Sequence, residues 1–211
     1  MMRRTVSRSL TAMLCAIALT AVPTLFALLT PERADGRSAC PRWGKTIERT
    51  RESRVFRTRR ESIDYYFGCA FRVGRTYRLG GGNDAVVYAL AGRMVAYESL
   101  ANPVNQRMVV RSLGTGRVVH QANSNLEGAF GNGARAVEVV LKRNGSIAWT
   151  YPNRTGESVE VTGIELHAIG TSNRREVLSR NVDPAESLRL DPGGATISWT
   201  EGGMTRTAPL R

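Results

Sequence analysis

Asn144-Gly145-Ser146-Ile147-Ala148-Trp149 is the stretch on which the fold turns. Its Asn-Gly pair separates two apolar runs, Val139-Val140-Leu141 and Ile147-Ala148-Trp149. That arrangement is the strongest short hairpin signal a sequence offers, because Asn and Gly accept the left-handed backbone of a tight antiparallel turn. The hexapeptide ends on an aliphatic residue, a small residue and a large aromatic. The same order recurs in Gly92-Arg93-Met94-Val95-Ala96-Tyr97 and in Gly194-Ala195-Thr196-Ile197-Ser198-Trp199. The steps from Tyr97 to Trp149 and from Trp149 to Trp199 are 52 and 50 residues.

A second pattern, an alternating strand followed by a turn and a short strand, comes after the first. It occurs at Met108–Arg117, again at Ile164–Arg174, and more loosely at Tyr66–Arg75. Short runs rich in β-branched and aromatic residues continue from Arg54–Arg57 to Thr205–Leu210, broken by Gly, Asn, Asp and Pro clusters. Beyond residue 40 no stretch holds a helical period. A repeat of about 50 residues with several strands per unit reads as propeller blades. The small residue lets neighbouring sheets approach, and the aromatic fills the gap between them. The expected fold is all-β, a small or incomplete β-propeller-like array of about four antiparallel units. A β-sandwich with similar hairpins is the alternative. Propellers typically close with four to eight blades. Here the first unit has no clear opening strand and the last no clear closing one. Pairing of Trp43–Glu48 with Thr205–Leu210 would close such a ring; otherwise the arc stays open.

Asn144–Trp149 resembles the blade motif of TolB-like β-propellers, in which a turn glycine leads into an aliphatic–Ala–aromatic strand. Arg107–Gln121 is similar to a further hairpin of such a blade, with Thr115-Gly116-Arg117 at its turn. Residues 40–211 also resemble uncharacterised secreted proteins of high-GC actinobacteria that carry an early cysteine pair and propeller-type repeats. The resemblance implies a propeller-like fold and no particular chemistry, since such folds host many functions.

The N-terminus has the order of an export signal. Arg3, Arg4 and Arg8 precede an uncharged run from Ser9 to Thr30. Residues 10–29 are long enough to span a bilayer as an apolar helix at ~1.5 Å per residue. Ala34-Asp35-Gly36 is the best cleavage candidate. Residues 1–36 therefore read as a signal peptide or a membrane anchor, and residues 37–211 as the β domain. The expected location is secreted or extracytoplasmic. Cys40 and Cys69 are then the two thiols left in an oxidising compartment, where two thiols usually pair. Two buried, unpaired thiols are the other reading.

The formal net charge is +12, carried by 28 Arg and two Lys, a skew typical of GC-rich coding. Residues 42–60 hold eight basic side chains against Glu48 and Glu52. Arg49, Arg51, Arg54, Arg57, Arg59 and Arg60 are candidate contacts for a polyanion, by counterion release. The same charges on an edge strand would guard it against aggregation.

Catalytic signatures are sparse. His120 and His167 lie on expected strands 47 residues apart. No Gly-x-Ser-x-Gly elbow, His-x-x-x-His, Cys-x-x-Cys or EF-hand spacing occurs. Gly131–Ala136 fits a loose dinucleotide fingerprint but precedes a strand, so no helix N-terminus meets a pyrophosphate. Gly80–Asp84 reads as a flexible inter-blade loop. No cofactor and no metal is expected. The first functional reading is a non-catalytic extracytoplasmic binding module for a protein or envelope polymer. An envelope hydrolase or lyase and a polyanion-binding surface protein are the alternatives. Export argues against intracellular nucleic acid, and membrane contact is expected only through an uncleaved N-terminal segment.

Overall fold

A computed structural model describes residues 40–82, 85–100, 106–124, 135–154, 161–184 and 187–211. The expected N-terminal helix, and with it the choice between signal and anchor, lies outside these residues, as does most of the Gly131–Ala136 segment. No helix among the described residues is long and apolar enough to cross a membrane.

Among the described residues fifteen strands form four separate antiparallel sheets, each continuous in sequence. Blade 1 holds β1 (Lys45–Arg49), β2 (Ser53–Arg60), β3 (Ile63–Ala70) and β4 (Thr76–Gly81). Blade 2 holds β5 (Ala85–Ala91), β6 (Met94–Leu100), β7 (Gln106–Ser112) and β8 (Val118–Asn123). Blade 3 holds β9 (Val139–Leu141), β10 (Ile147–Arg154), β11 (Val161–Ile169) and β12 (Arg175–Ser179). Blade 4 has three strands, β13 (Arg189–Leu190), β14 (Thr196–Glu201) and β15 (Met204–Pro209). Four sheets replace the two that a sandwich would require.

The repeat found in the sequence is the second strand of a blade. Its glycines, Gly92, Gly145 and Gly194, have φ of 60°, 97° and 67°, the left-handed backbone that starts the strand after its turn. Tyr97, Trp149 and Trp199 are 4%, 0% and 6% exposed, as the repeat requires. Each aromatic faces the preceding blade. Trp149 shares a cluster with Ala96, and Trp199 shares one with Ala148. Tyr97 packs in the same way with Val55 of β2. The second pattern is the third strand, β3, β7 or β11, with the turn that follows it.

One pairing differs from expectation. Trp43–Glu48 does not join Thr205–Leu210; β1 pairs with β2, from Lys45↔Arg57 to Arg49↔Arg54, and β15 is the edge of its own sheet. The short turn Thr50–Glu52 explains this. The Thr50 hydroxyl accepts from the Glu52 and Ser53 amides at 3.1 Å each, holding the chain in a local reversal that needs no long closure. The array stays open among the described residues. β1 is exposed at all five positions, and β15 at all but Ala208. Gly80 and Gly81 belong to β4 and not to a flexible loop, because Gly80 lies against Ala85 and Gly81 against Tyr65, where no side chain fits.

Candidate functional site

At the open end of blade 1 no preceding sheet covers Phe56 among the described residues, and residues 40–44 lie over it. The Cys40–Cys69 disulfide, with Cα atoms 5.8 Å apart, ties this segment to β3. Trp43 meets Phe56 and Phe67 edge-on at centroid distances of 5.2 and 5.9 Å, yet stays 53% exposed. Beside it is a recess of about 470 Å³ lined by Lys45, Arg57, Arg59 and Asp64 among others.

The six arginines of the basic segment are not one surface. Arg54 is buried; it donates to the carbonyls of Pro41 and Trp43 and lies over the Phe56 ring at 4.4 Å. Burial lowers its pKa from the usual value. Arg57 is paired with Asp64 at 2.8 Å, and Arg59 lies 3.8 Å from the same carboxylate. Arg59 and Arg60 end β2 at one end of the sheet, whereas Arg49 and Arg51 stand at the other. At ~3.3 Å per residue, the eight residues of β2 separate the two groups by roughly 25 Å.

Arg51 belongs instead to a rim. The turns β1–β2, β3–β4 and their counterparts in later blades all lie at one end of the sheets, as does Leu210–Arg211. The chain locks them together there. Thr50 and Ser53 hydroxyls donate to the Gly92 carbonyl at 2.8 and 2.6 Å. Lys142 and Ser146 donate to the carbonyls of Leu210 and Arg211. Blade 1 gives this rim Arg51, Arg72 and Arg75, and blade 2 gives Arg93 and Arg117. Blade 3 gives Lys142, Arg143 and Arg174, and Arg211 ends the chain. Among the side chains of these turns Glu52 and Asp191 are the acidic ones, and Glu176 of β12 lines a recess with Arg211. Asp191 is engaged locally: the Thr196 amide first, then those of Ala195 and Gly194, lower its pKa by bonding the carboxylate. Glu52 meets Arg93 at 3.1 Å and also contacts Arg143, so one carboxylate serves three blades. At the opposite end, the described connections carry Arg135 and Arg180 against Glu61, Glu138 and Asp183.

The titratable groups usable for proton transfer are inside. Glu98 is fully buried and accepts from the Tyr88 hydroxyl at 2.8 Å. Burial, then the Glu98 charge, raises the Tyr88 pKa. Glu165 and His167 are 2% and 0% exposed, and their side chains approach to 3.3 Å. Burial pushes the imidazole down to about 4 and the carboxyl upward, so both favour their neutral forms. His120 is buried and shares a 2.7 Å hydrogen bond with Asn173. No group of three or more His, Cys, Asp or Glu among the described residues could hold a metal ion. Sequence reasoning missed the rim, since its side chains come from turns dispersed over the whole chain. The strand order implied by the repeat was the signal that could have gathered them.

No protein-family model and no curated protein matches this sequence. Solved structures do align. TolB from Acinetobacter baumannii is 16% identical with a TM-score of 0.42, over 75% of this chain and 38% of that one. The β-propeller domain of the trilobed protease from Pyrococcus furiosus is 7% identical with a TM-score of 0.47, over 74% of this chain and 53% of that one. The protein lmo1340 from Listeria monocytogenes is 8% identical with a TM-score of 0.38, over 76% and 51%. The chain thus spans about half or less of each of these structures.

Proposed function

We propose that this chain is a non-catalytic binding module that works outside the cytoplasm. One observation carries the reading: nine basic side chains stand on one accessible turn rim with few carboxylates beside them, while the Glu165–His167 and Glu98–Tyr88 pairs lie inside the sheets. Surface charge held at fixed spacing by locked turns recruits a ligand of opposite sign. The disulfide suits an oxidising compartment, and the apolar run of residues 10–29 after three arginines suits export. The partner class that fits is an envelope polymer or an acidic protein.

Incubating the purified protein with isolated cell-envelope material tests this against the hydrolase or lyase alternative. The protein is expected to sediment with the material and to leave it chemically intact. Release of reducing ends, unsaturated sugars or phosphate in proportion to protein and time would overturn the reading.

A further inference from the structure

We infer that the turn rim of blades 1 to 3 is a groove for a linear polyanion that bears repeated phosphate or sulfate groups and no nucleobases. This rests on the binding-module reading and names its ligand class. Two adjacent clefts run along the rim. One, of about 380 Å³, is lined by Arg51, Glu52, Phe71, Arg72 and Arg93. The other, of about the same size, is lined by Glu52, Arg93, Ser112, Thr115 and Arg143 among others. They share Glu52 and Arg93, so a single chain lying in one continues into the other.

The lining is held in place before any ligand arrives. Arg93 reaches from Glu52 to the Gly114 turn, and Arg143 lies against Gly92. Both side chains stay open to solvent, at 52% and 75% exposure. One carboxylate between them fixes their positions without cancelling their joint charge. Arg51 and Arg72 extend the row at its blade 1 end, both exposed and with no acidic neighbour in the cleft besides Glu52. Guanidinium forks match the oxygen spacing of phosphate and similar oxyanions.

Base composition does not account for the rim. GC-rich coding enriches arginine at every position alike and does not sort side chains to one end of four sheets. The rim also lacks what other polyanionic partners ask for. Of the exposed large apolar side chains among the described residues, Val118 alone adjoins a rim turn, while Trp43, Ile63, Val137, Val161 and Met204 are elsewhere, so the rim has no apolar cluster to enter a bilayer. Phe71, the aromatic in the clefts, is half-buried under Arg49 at 5.0 Å and offers no platform for stacking bases.

The test is salt-dependent binding to long-chain polyphosphate and to heparin, with phosphatidylglycerol vesicles and single-stranded DNA as competitors. Each neutralised charge releases a counterion, giving a slope of about −0.7 per contact on a log–log plot for a single-stranded polymer. Wild type is expected to lose affinity roughly 20-fold or more between about 50 and 200 mM salt. The triple substitution Arg51→Gln, Arg72→Gln, Arg93→Gln is expected to weaken binding at least tenfold and flatten the slope by about two. Replacing Arg57, Arg59 and Arg60 by Gln should leave both unchanged. Melting curves of both variants report folding, since all six side chains are at least partly exposed. Equal loss in both variants, or preference for vesicles or DNA, would overturn the inference. A protein that sediments with envelope material but ignores both probes overturns the polymer class and leaves the module reading standing. Cleavage of that material overturns the module reading itself.

Discussion

Trp149 and His167 face each other across β10 and β11, and their rings are stacked at 5.2 Å with 20° between planes. The indole on one side and Glu165 on the other leave the imidazole without water, and burial holds its pKa near 4. Arg175 and Arg180 push in the same direction.

The sign of the resulting pH effect follows. A histidine with a depressed folded-state pKa is protonated more readily in the unfolded chain. Its contribution is therefore intact above about 6.5 and lost as pH falls toward 4. The loss is on the order of 3 kcal/mol across that window. Glu165, with its pKa raised by burial, acts in the opposite sense as pH rises past its unfolded value. Subtracting the urea-derived stability of His167→Phe from that of wild type isolates the histidine. A difference that stays constant from pH 4 to 7 contradicts this account.

Inter-blade packing predicts an asymmetric response to size. Trp149→Ala should cost ~3–5 kcal/mol, because it empties the space between blades 2 and 3. Ala148→Leu should cost ~1–3 kcal/mol by colliding with the surface that receives Trp199. Ser198→Leu, at the equivalent position of blade 4 with no following sheet among the described residues, should stay within about 0.5 kcal/mol. Denaturant titration of the three variants checks the order, and a costly Ser198→Leu would mean that another blade or partner covers that face.

The disulfide closes a separation of 29 residues. In the chain-entropy model its removal by Cys40→Ser with Cys69→Ser lowers stability by ~3–4 kcal/mol. Non-reduced peptide mapping should recover the two cysteines as one linked pair; alkylation of both without reductant would refute it.

Arg54 is assigned to the cap over Phe56 and not to ligand binding. Arg54→Leu should cost ~1.5–3 kcal/mol through loss of its charged hydrogen bonds to Pro41 and Trp43. It should also shift Trp43 emission toward the red while polyphosphate affinity holds. Unchanged stability with weakened binding would return Arg54 to the polyanion site.

Much of the fold was legible because blade packing is written locally. The Gly-to-aromatic pattern gave the second strands of blades 2, 3 and 4 and their burial. The sandwich alternative stayed open in the sequence because hairpins look alike in both folds. Pairing of β1 was misjudged, since Trp43–Glu48 carries no alternating pattern and all of β1 is exposed. Gly80 and Gly81 looked like loop because a glycine required by close approach is indistinguishable, in one sequence, from one required by flexibility. The basic segment misled for a different reason. Proximity along a strand sends neighbours in charge to opposite ends of a sheet, whereas residues 51, 72, 93 and 143 meet only because turns of successive blades stack.

The packing of Trp149 and Trp199 with the small residue of the sheet before each has an evolutionary consequence. Ala96 receives Trp149 as Ala148 receives Trp199, so one blade's two faces already fit copies of itself. A gene segment of one unit can be duplicated or deleted in frame, and the new neighbours inherit a matching joint. Length in this lineage should then vary in steps of a whole blade, with the disulfide-bound leading segment kept at the front of every version.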